Sequence, residues 1–276
     1  MVDAYMSRLS EKFKNLQSNG QRALIPYLSA GYPEPRHTVA LLQALERGGA
    51  DIIELGVPFS DPLADGPTIQ KASAVALDHG VTLAMVLQMV RDFRATGSDT
   101  PIVLFGAYNP YLHYGFEKFA ADASAAGADA VLIADLPADD ADEATPILKA
   151  HGLDLICLIA PTSNLERKRL ICEHGSGFLY YISVKGVTGA RESQKFDLEK
   201  EIAEVRQCSD LPIAVGFGIS TPEQAATVGT WADGVVVGSA LINVITQNAD
   251  KGDEAMYRAA EDYMMSLKKA LPEEVA

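Results

Sequence analysis

The sequence predicts a single (β/α)8 (TIM) barrel with an extra N-terminal helix, and three observations carry that expectation. Short apolar runs recur along the chain at fairly regular spacing. Amphipathic stretches of helical period alternate with them. No linker or shift in composition divides the 276 residues, so residues 1–276 read as one domain. Length alone would allow roughly 1.8 domains at ~150 residues each, but barrels of about 250 residues commonly form one.

The chain opens with a helix whose apolar residues Met6, Leu9, Phe13 and Leu16 fall at helical spacing, stopped by Asn19-Gly20. The strands follow over residues 23–28, 51–55, 102–105, 130–134, 155–159, 178–182, 213–215 and 234–237. These runs are nearly continuous in apolar character, as suits parallel strands buried on both faces. Helices are expected over 38–46, 82–94, 116–125, 141–149, 165–173, 198–207 and 222–228, with another over 240–245 after the last strand. A doubly wound open sheet is the competitor, and the absence of GxGxxG after the first strand counts against it. Gly-Ala-Asp recurs at 49–51 and 127–129, with Ala232-Asp233-Gly234 as an echo, each just before a strand. Repeated βα units would produce such a pattern.

Composition narrows the function. Hydrophobic residues make up 48%, charged residues 22% and aromatic residues 7%, as in an ordinary globular enzyme. The net charge of −14 argues against nucleic acid or an anionic membrane surface as partner. Any phosphate must therefore be held locally, by aimed backbone amides or one placed cation. Cys157, Cys172 and Cys208 build neither a disulfide framework nor a metal knuckle. They suit a reducing compartment, and with no signal-like N-terminus and no run of ~18 apolar residues a cytoplasmic protein is expected.

In a barrel, chemistry belongs at the C-terminal ends of the strands. Strand 2 delivers Glu54-Leu55-Gly56-Val57-Pro58-Phe59-Ser60-Asp61-Pro62-Leu63-Ala64-Asp65-Gly66-Pro67. Alternation puts Ile53 and Leu55 on one face and Ile52 and Glu54 on the other, so Glu54 points into the mouth if the first pair packs on helices. A desolvated carboxyl there rises in pKa toward the range useful for proton transfer. Asp65 sits in a loop stiffened by Pro58, Pro62 and Pro67; Asp61 is the alternative second carboxylate, and composition does not choose between them.

Loops 7 and 8, Gly216-Phe217-Gly218-Ile219-Ser220 and Gly238-Ser239, are small-residue segments without Lys or Arg, fit to present amides to an anion. The loop at 183–193 has two glycines in a polar stretch and reads as a lid. Tyr180 is expected to face the cavity and Tyr181 the helices. The histidines, His37, His79, His113, His151 and His174, are scattered without HxH or HExxH spacing, so they read as surface or helix-terminal and no metal site is expected. Lys71, Lys118, Lys149 and Lys168 read as helix surface, leaving acid–base chemistry on a phosphorylated substrate.

The 54–67 segment closely resembles the signature of the tryptophan synthase α-subunit family. So do Gly186-Val187-Thr188-Gly189, Gly216-Phe217-Gly218-Ile219 and Gly238-Ser239, and the resemblance covers nearly the whole chain. It implies retro-aldol cleavage of indole-3-glycerol phosphate to indole and glyceraldehyde 3-phosphate. Glu54 matches the family's general acid/base and Asp65 its second carboxylate. Tyr180, Tyr27, Phe105, Phe217 and Thr188 correspond to substrate-binding positions; Gly189, Gly218, Gly238 and Ser239 correspond to phosphate-holding ones. No cofactor is implied in this chain, whereas pyridoxal phosphate is expected on a β-subunit that joins it in an αββα assembly. Pro58, Asp61, Pro62, Asn109 and Pro137 are the expected contacts with that partner, as rigid projections around the mouth. A stand-alone lyase releasing free indole, which plants build on the same scaffold, is the alternative; for the chain itself the plastid stroma is the alternative compartment if a targeting segment was removed. A silent barrel that only regulates a partner is disfavoured by the presence of both Glu54 and Asp65.

Overall fold

The computed structural model describes residues 7–62, 65–183, 198–216 and 218–273. Eight parallel strands close in sequence order into a barrel: β1 (Ala23–Ser29), β2 (Ile53–Gly56), β3 (Ile102–Gly106), β4 (Ala130–Ile133), β5 (Asp154–Ile159), β6 (Leu179–Ile182), β7 (Ile213–Gly216) and β8 (Gly234–Val237). The expected strands agree with these to within two residues at each end. Around them lie α1 (Arg8–Ser18), α2 (Thr38–Arg47), α3 (Pro67–Asp78), α4 (Leu83–Ala95), α5 (Tyr108–Tyr114), α6 (Phe116–Ala126), α7 (Ala141–Ala150), α8 (Leu165–His174), α9 (Leu198–Arg206), α10 (Pro222–Gly229), α11 (Ser239–Asn248) and α12 (Asp253–Ala270). Three of these, α3, α5 and α12, are not among the expected segments. The buried face of α3 is built of the small residues Ala72, Ser73 and Ala76, which give a weak apolar period, and α5 buries only Tyr111.

The strand residues alternate between two apolar layers. One lies between barrel and helices and takes Ile53, Leu55, Leu104 and Tyr181; the other fills the barrel and takes Ile25, Ile52, Val103, Leu132 and Tyr180. Helix α1 belongs to the second layer. Leu9, Phe13 and Leu16 seal the N-terminal end of the barrel, with Phe13 and Phe178 ring centroids 5.6 Å apart. The helix is fixed there by Ser7, which caps it through Ser10 N–H and donates its hydroxyl to Asp154 at 2.6 Å. Arg8 pairs with Asp129 at 2.8 Å.

The Gly-Ala-Asp echo has a structural cause. At the barrel bottom, Leu24 N–H donates to Asp51 Oδ2 (2.8 Å) while Asp51 N–H donates to the Leu24 carbonyl (2.9 Å). Ile102 and Asp129 repeat the exchange, and so do Ile213 and Asp233. Leu155 and Ser176 complete the set with a serine hydroxyl in place of the carboxylate. Each odd-numbered strand is thus clipped to the turn that precedes the next strand. Each of the three aspartates also pairs with a helix cation: Lys268, Arg94 and Arg206 respectively.

One expectation about surface residues is corrected. Lys168 is buried between α8 and α9, where it donates to Glu204 (2.8 Å) and Glu201 (3.0 Å), and Tyr181 also donates to Glu201. Two carboxylates from a distant segment make its burial tolerable. His37 stands at a helix terminus as expected but is buried, its Nδ1 2.7 Å from the Tyr257 hydroxyl. All three cysteines are free thiols, and burial pushes Cys157 up to about 12. Among the described residues no single helix is long and apolar enough to cross a membrane, and no group of three or more His, Cys, Asp or Glu side chains could hold a metal ion.

Candidate active site

The site is built at the C-terminal ends of the strands. Glu54 is on the inner face of β2, 1% exposed, as the packing of Ile53 and Leu55 on the helices requires. Its Oε1 is buried, and among the described residues it has no hydrogen-bond partner. With no donor to stabilise the charge, burial pushes the carboxyl up to about 8, so Glu54 carries a proton at neutral pH. A buried acid with an unsatisfied oxygen weakens the fold, and such a group is held ready for a ligand.

Asp65 is half-buried at the end of loop 2. Its N–H donates to the Pro62 carbonyl (3.1 Å), and Gln70 of α3 donates to its own carbonyl (2.9 Å), so the turn is fixed from both sides. Partial burial moves its carboxyl up to about 6, leaving it mostly ionised at neutral pH. Asp61 is exposed and accepts the Ser60 hydroxyl at 2.8 Å. Of the two carboxylates that composition leaves open, Asp65 is the half-buried one and Asp61 the exposed one. One protonated and one ionised carboxyl thus face the same mouth.

Two tyrosines border them. Tyr27, register partner of Glu54, comes from β1, and Tyr180 comes from β6 with the orientation expected. Each phenol lies across the neighbouring strand over a glycine, Tyr27 over Gly56 and Tyr180 over Gly216, where a Cβ would collide with it. Burial and the two carboxylates raise both phenols above their ordinary value, so they remain O–H donors. Phe105 meets Tyr27 edge-on, centroids 5.3 Å apart. Tyr27, Phe105, Val57, Phe59 and Asp65 line one cavity; a second, of ≈ 320 Å³, has Ala134, Leu158 and Ile182 in its lining. Those three apolar residues escape the sequence reading, although their place at the tops of inward-facing strand positions marks them.

Gly218 stands at φ +83°, a conformation glycine adopts freely. Gly238 precedes the first turn of α11, and Ser239 opens that helix. Helix α11 therefore begins at the mouth, with N–H groups and the positive end of its dipole on that side. Thr188, Gly189 and Phe217, together with residues 184–193 of the expected lid, lie outside the described residues.

The rim agrees in part with the expected projections. Asp61 and Pro137 are exposed and Pro62 is half-buried. Pro58 is buried, so it braces the site and does not project. Asn109 is exposed but lies in the first turn of α5, not in a loop; the Asp135 carboxylate accepts Tyr108 N–H at 2.7 Å and starts that helix.

A family model described as tryptophan synthase alpha chain matches residues 13–272. The chain belongs to that family. The tryptophan synthase alpha chain of Marinobacter nauticus is 47% identical over 266 residues, spanning 96% of this chain and 98% of its own. That of Acidiphilium cryptum is 46% identical over 269 residues, with the same coverage. Among solved structures, tryptophan synthase subunit alpha from Legionella pneumophila matches with a TM-score of 0.87 at 41% identity, covering 96% of this chain and 98% of that one. An open form of tryptophan synthase from M. tuberculosis matches with a TM-score of 0.83 at 35% identity, covering 95% and 99%. Agreement with tryptophan synthase alpha chains thus extends over the whole scaffold that carries Glu54 and Asp65, not over a local motif alone.

Proposed function

We infer that this chain cleaves indole-3-glycerol phosphate to indole and glyceraldehyde 3-phosphate, the α reaction of tryptophan synthase. The observation that carries the reading is the buried, protonated Glu54, whose Oε1 has no partner among the described residues, in a barrel mouth that also receives the ionised Asp65.

The chemistry follows from that pair. Glu54 donates its proton to indole C3, which makes the ring a leaving group. Positive charge spreads to the ring nitrogen, where the Asp65 carboxylate accepts the N–H and stabilises it. The bond between C3 and the glycerol carbon then breaks, its electron pair returning to the ring. The hydroxyl proton on that carbon passes to the Glu54 carboxylate, the oxygen becomes the aldehyde carbonyl, and Glu54 regains its acid form. Tyr180, Tyr27, Phe105 and Phe217 would wall the indole, with Thr188 beside it. Amides at Gly189, Gly218, Gly238 and Ser239 would hold the phosphate, as suits a chain of net charge −14. No step asks for a cofactor in this chain.

Indole is small, neutral and membrane-permeable, so a β-subunit carrying pyridoxal phosphate and docked on the mouth, through Asp61, Pro62, Asn109 and Pro137, is the partner proposed. Three free thiols suit a reducing compartment, the cytoplasm or a plastid stroma. The test is indole release from indole-3-glycerol phosphate, with and without a tryptophan synthase β-subunit. Low activity alone and a large rise with β-subunit are expected. Equal turnover without co-elution on a sizing column would make the chain a free-standing lyase, and no indole under either condition would overturn the reading.

A further inference from the structure

Tyr27 spans the distance between the two ends of the candidate site. On the β8 side its Cβ is 3.5 Å from the point where a Cβ on Gly238 would stand. On the β2 side its hydroxyl fills the space above Gly56, two residues beyond Glu54 on the same inner face. The ring therefore runs from the loop assigned to phosphate toward the cavity shared by Phe105 and Asp65. Ser29, the next inward residue of β1, donates its hydroxyl to the Tyr27 oxygen at 3.4 Å. Among the described residues that is the phenol's one hydrogen bond, and in it Tyr27 is the acceptor. Its own proton has no acceptor among them, although the side chain is 4% exposed. An O–H buried in that way costs free energy unless a ligand takes the bond.

A substrate held by phosphate near Gly238, with its indole walled by Phe105 and the Tyr27 ring, brings its glycerol chain within reach of the Tyr27 hydroxyl. The carbon attached to indole C3 then lies beside Glu54. We propose that the Tyr27 hydroxyl, steadied by Ser29, donates a hydrogen bond to the hydroxyl oxygen of the carbon that becomes the aldehyde. As that hydroxyl gives its proton to the Glu54 carboxylate and the carbon–carbon bond breaks, negative charge grows on the oxygen before the carbonyl forms. A preorganised neutral donor stabilises the charge at that moment and keeps its own proton. The titratable groups facing this point are Glu54 from β2, Asp65 from loop 2 and Tyr180 from β6; burial and the carboxylates keep Tyr27 a donor and not a base.

This role presupposes indole-3-glycerol phosphate and so rests on the reading given above; the test separates the two. In a Glu54→Gln background, which blocks turnover, binding of indole-3-glycerol phosphate is compared with binding of the analogue in which only that hydroxyl is replaced by hydrogen. Both are measured before and after Tyr27→Phe, which keeps the ring and its contact with Phe105. Tyr27→Phe should weaken the natural compound about tenfold and the deoxy analogue by less than about twofold, the difference expected of one hydrogen bond. With Glu54 in place, Tyr27→Phe should lower kcat by a larger factor than it raises KM. Ser29→Ala should act in the same direction by a smaller factor. Equal weakening of both compounds overturns the role of Tyr27 and leaves the reaction standing. Failure of the Glu54→Gln protein to bind either compound overturns the substrate reading itself.

Discussion

The phenol of Tyr180 occupies the space that a side chain on Gly216 would need. The two residues are two positions apart in register on adjacent strands, β6 and β7, and the missing Cβ lets the ring lie across the barrel mouth. Gly216→Ala should therefore push Tyr180 out of place. Overpacking of this kind costs about 1–3 kcal/mol of stability, measurable by urea denaturation. The accompanying loss of turnover should exceed that of Tyr180→Phe, because the whole ring moves and not only its hydroxyl.

Glu54→Gln keeps volume and removes proton exchange. Turnover should fall at least ~10²–10⁴-fold, the usual worth of one general acid/base, with circular dichroism unchanged. Activity within about threefold of wild type would exclude Glu54 as the proton carrier.

Turnover should also show a bell-shaped pH profile. It needs Glu54 protonated, which fails above about 8, and Asp65 ionised, which fails below about 6. Values of kcat/KM measured from about pH 5 to about pH 9.5 would reveal both limbs. Asp65→Asn should remove the acid limb along with most of the activity.

The same raised carboxyl has an opposite signature in stability. Folded Glu54 keeps its proton up to about 8, whereas the unfolded chain releases it near 4.5. The native state thus holds the extra proton, and its stability falls as pH rises from about 4.5 to about 8. The amide in the Glu54→Gln protein has no proton to release over that window. That variant should gain a few kcal/mol on wild type between about pH 5 and about pH 9, while Asp65, common to both, cancels. A pH-independent difference in denaturation midpoint would contradict the buried neutral acid.

At the other end of the barrel, Asp129 joins β3, α1 and α4 through Ile102 N–H, Arg8 and Arg94, and is 4% exposed. Asp129→Ala takes the carboxylate from two guanidinium groups, Arg8 and Arg94, and from the Ile102 amide, a change that costs about 3 kcal/mol or more when a buried pair is broken. Thermal denaturation should register it, while KM should stay near wild type because the site is at the opposite end.

These two ends are unequally legible in the sequence. The eight strands can be read because each is apolar on both faces, and Glu54 because Ile53 and Leu55 leave it only the inward side. Loop 2 is legible through its prolines, which hold Asp65 in one place. Asp61 and Asp65 cannot be separated, since burial depends on how Gln70 and the Pro62 turn draw one of them inward. Lys168 looks like any helix-surface lysine until α9 brings Glu201 and Glu204 to it. The ring of Tyr27 reads as part of an apolar wall, because nothing local to β1 announces that Gly56 on the next strand makes room for its hydroxyl. Helix α5 is hidden by its length, being too short for its period to register.

Because α1 stoppers the bottom of the barrel with Leu9, Phe13 and Leu16, the described residues leave that end closed, and the way to the two carboxylates is from the other. Reactant and both products must share that doorway, and they cannot pass through it at the same time. Order of traffic is then set at the rim formed by loop 2, α5 and the start of α7. A body resting on that rim would bear on admission and discharge together, without touching either carboxylate.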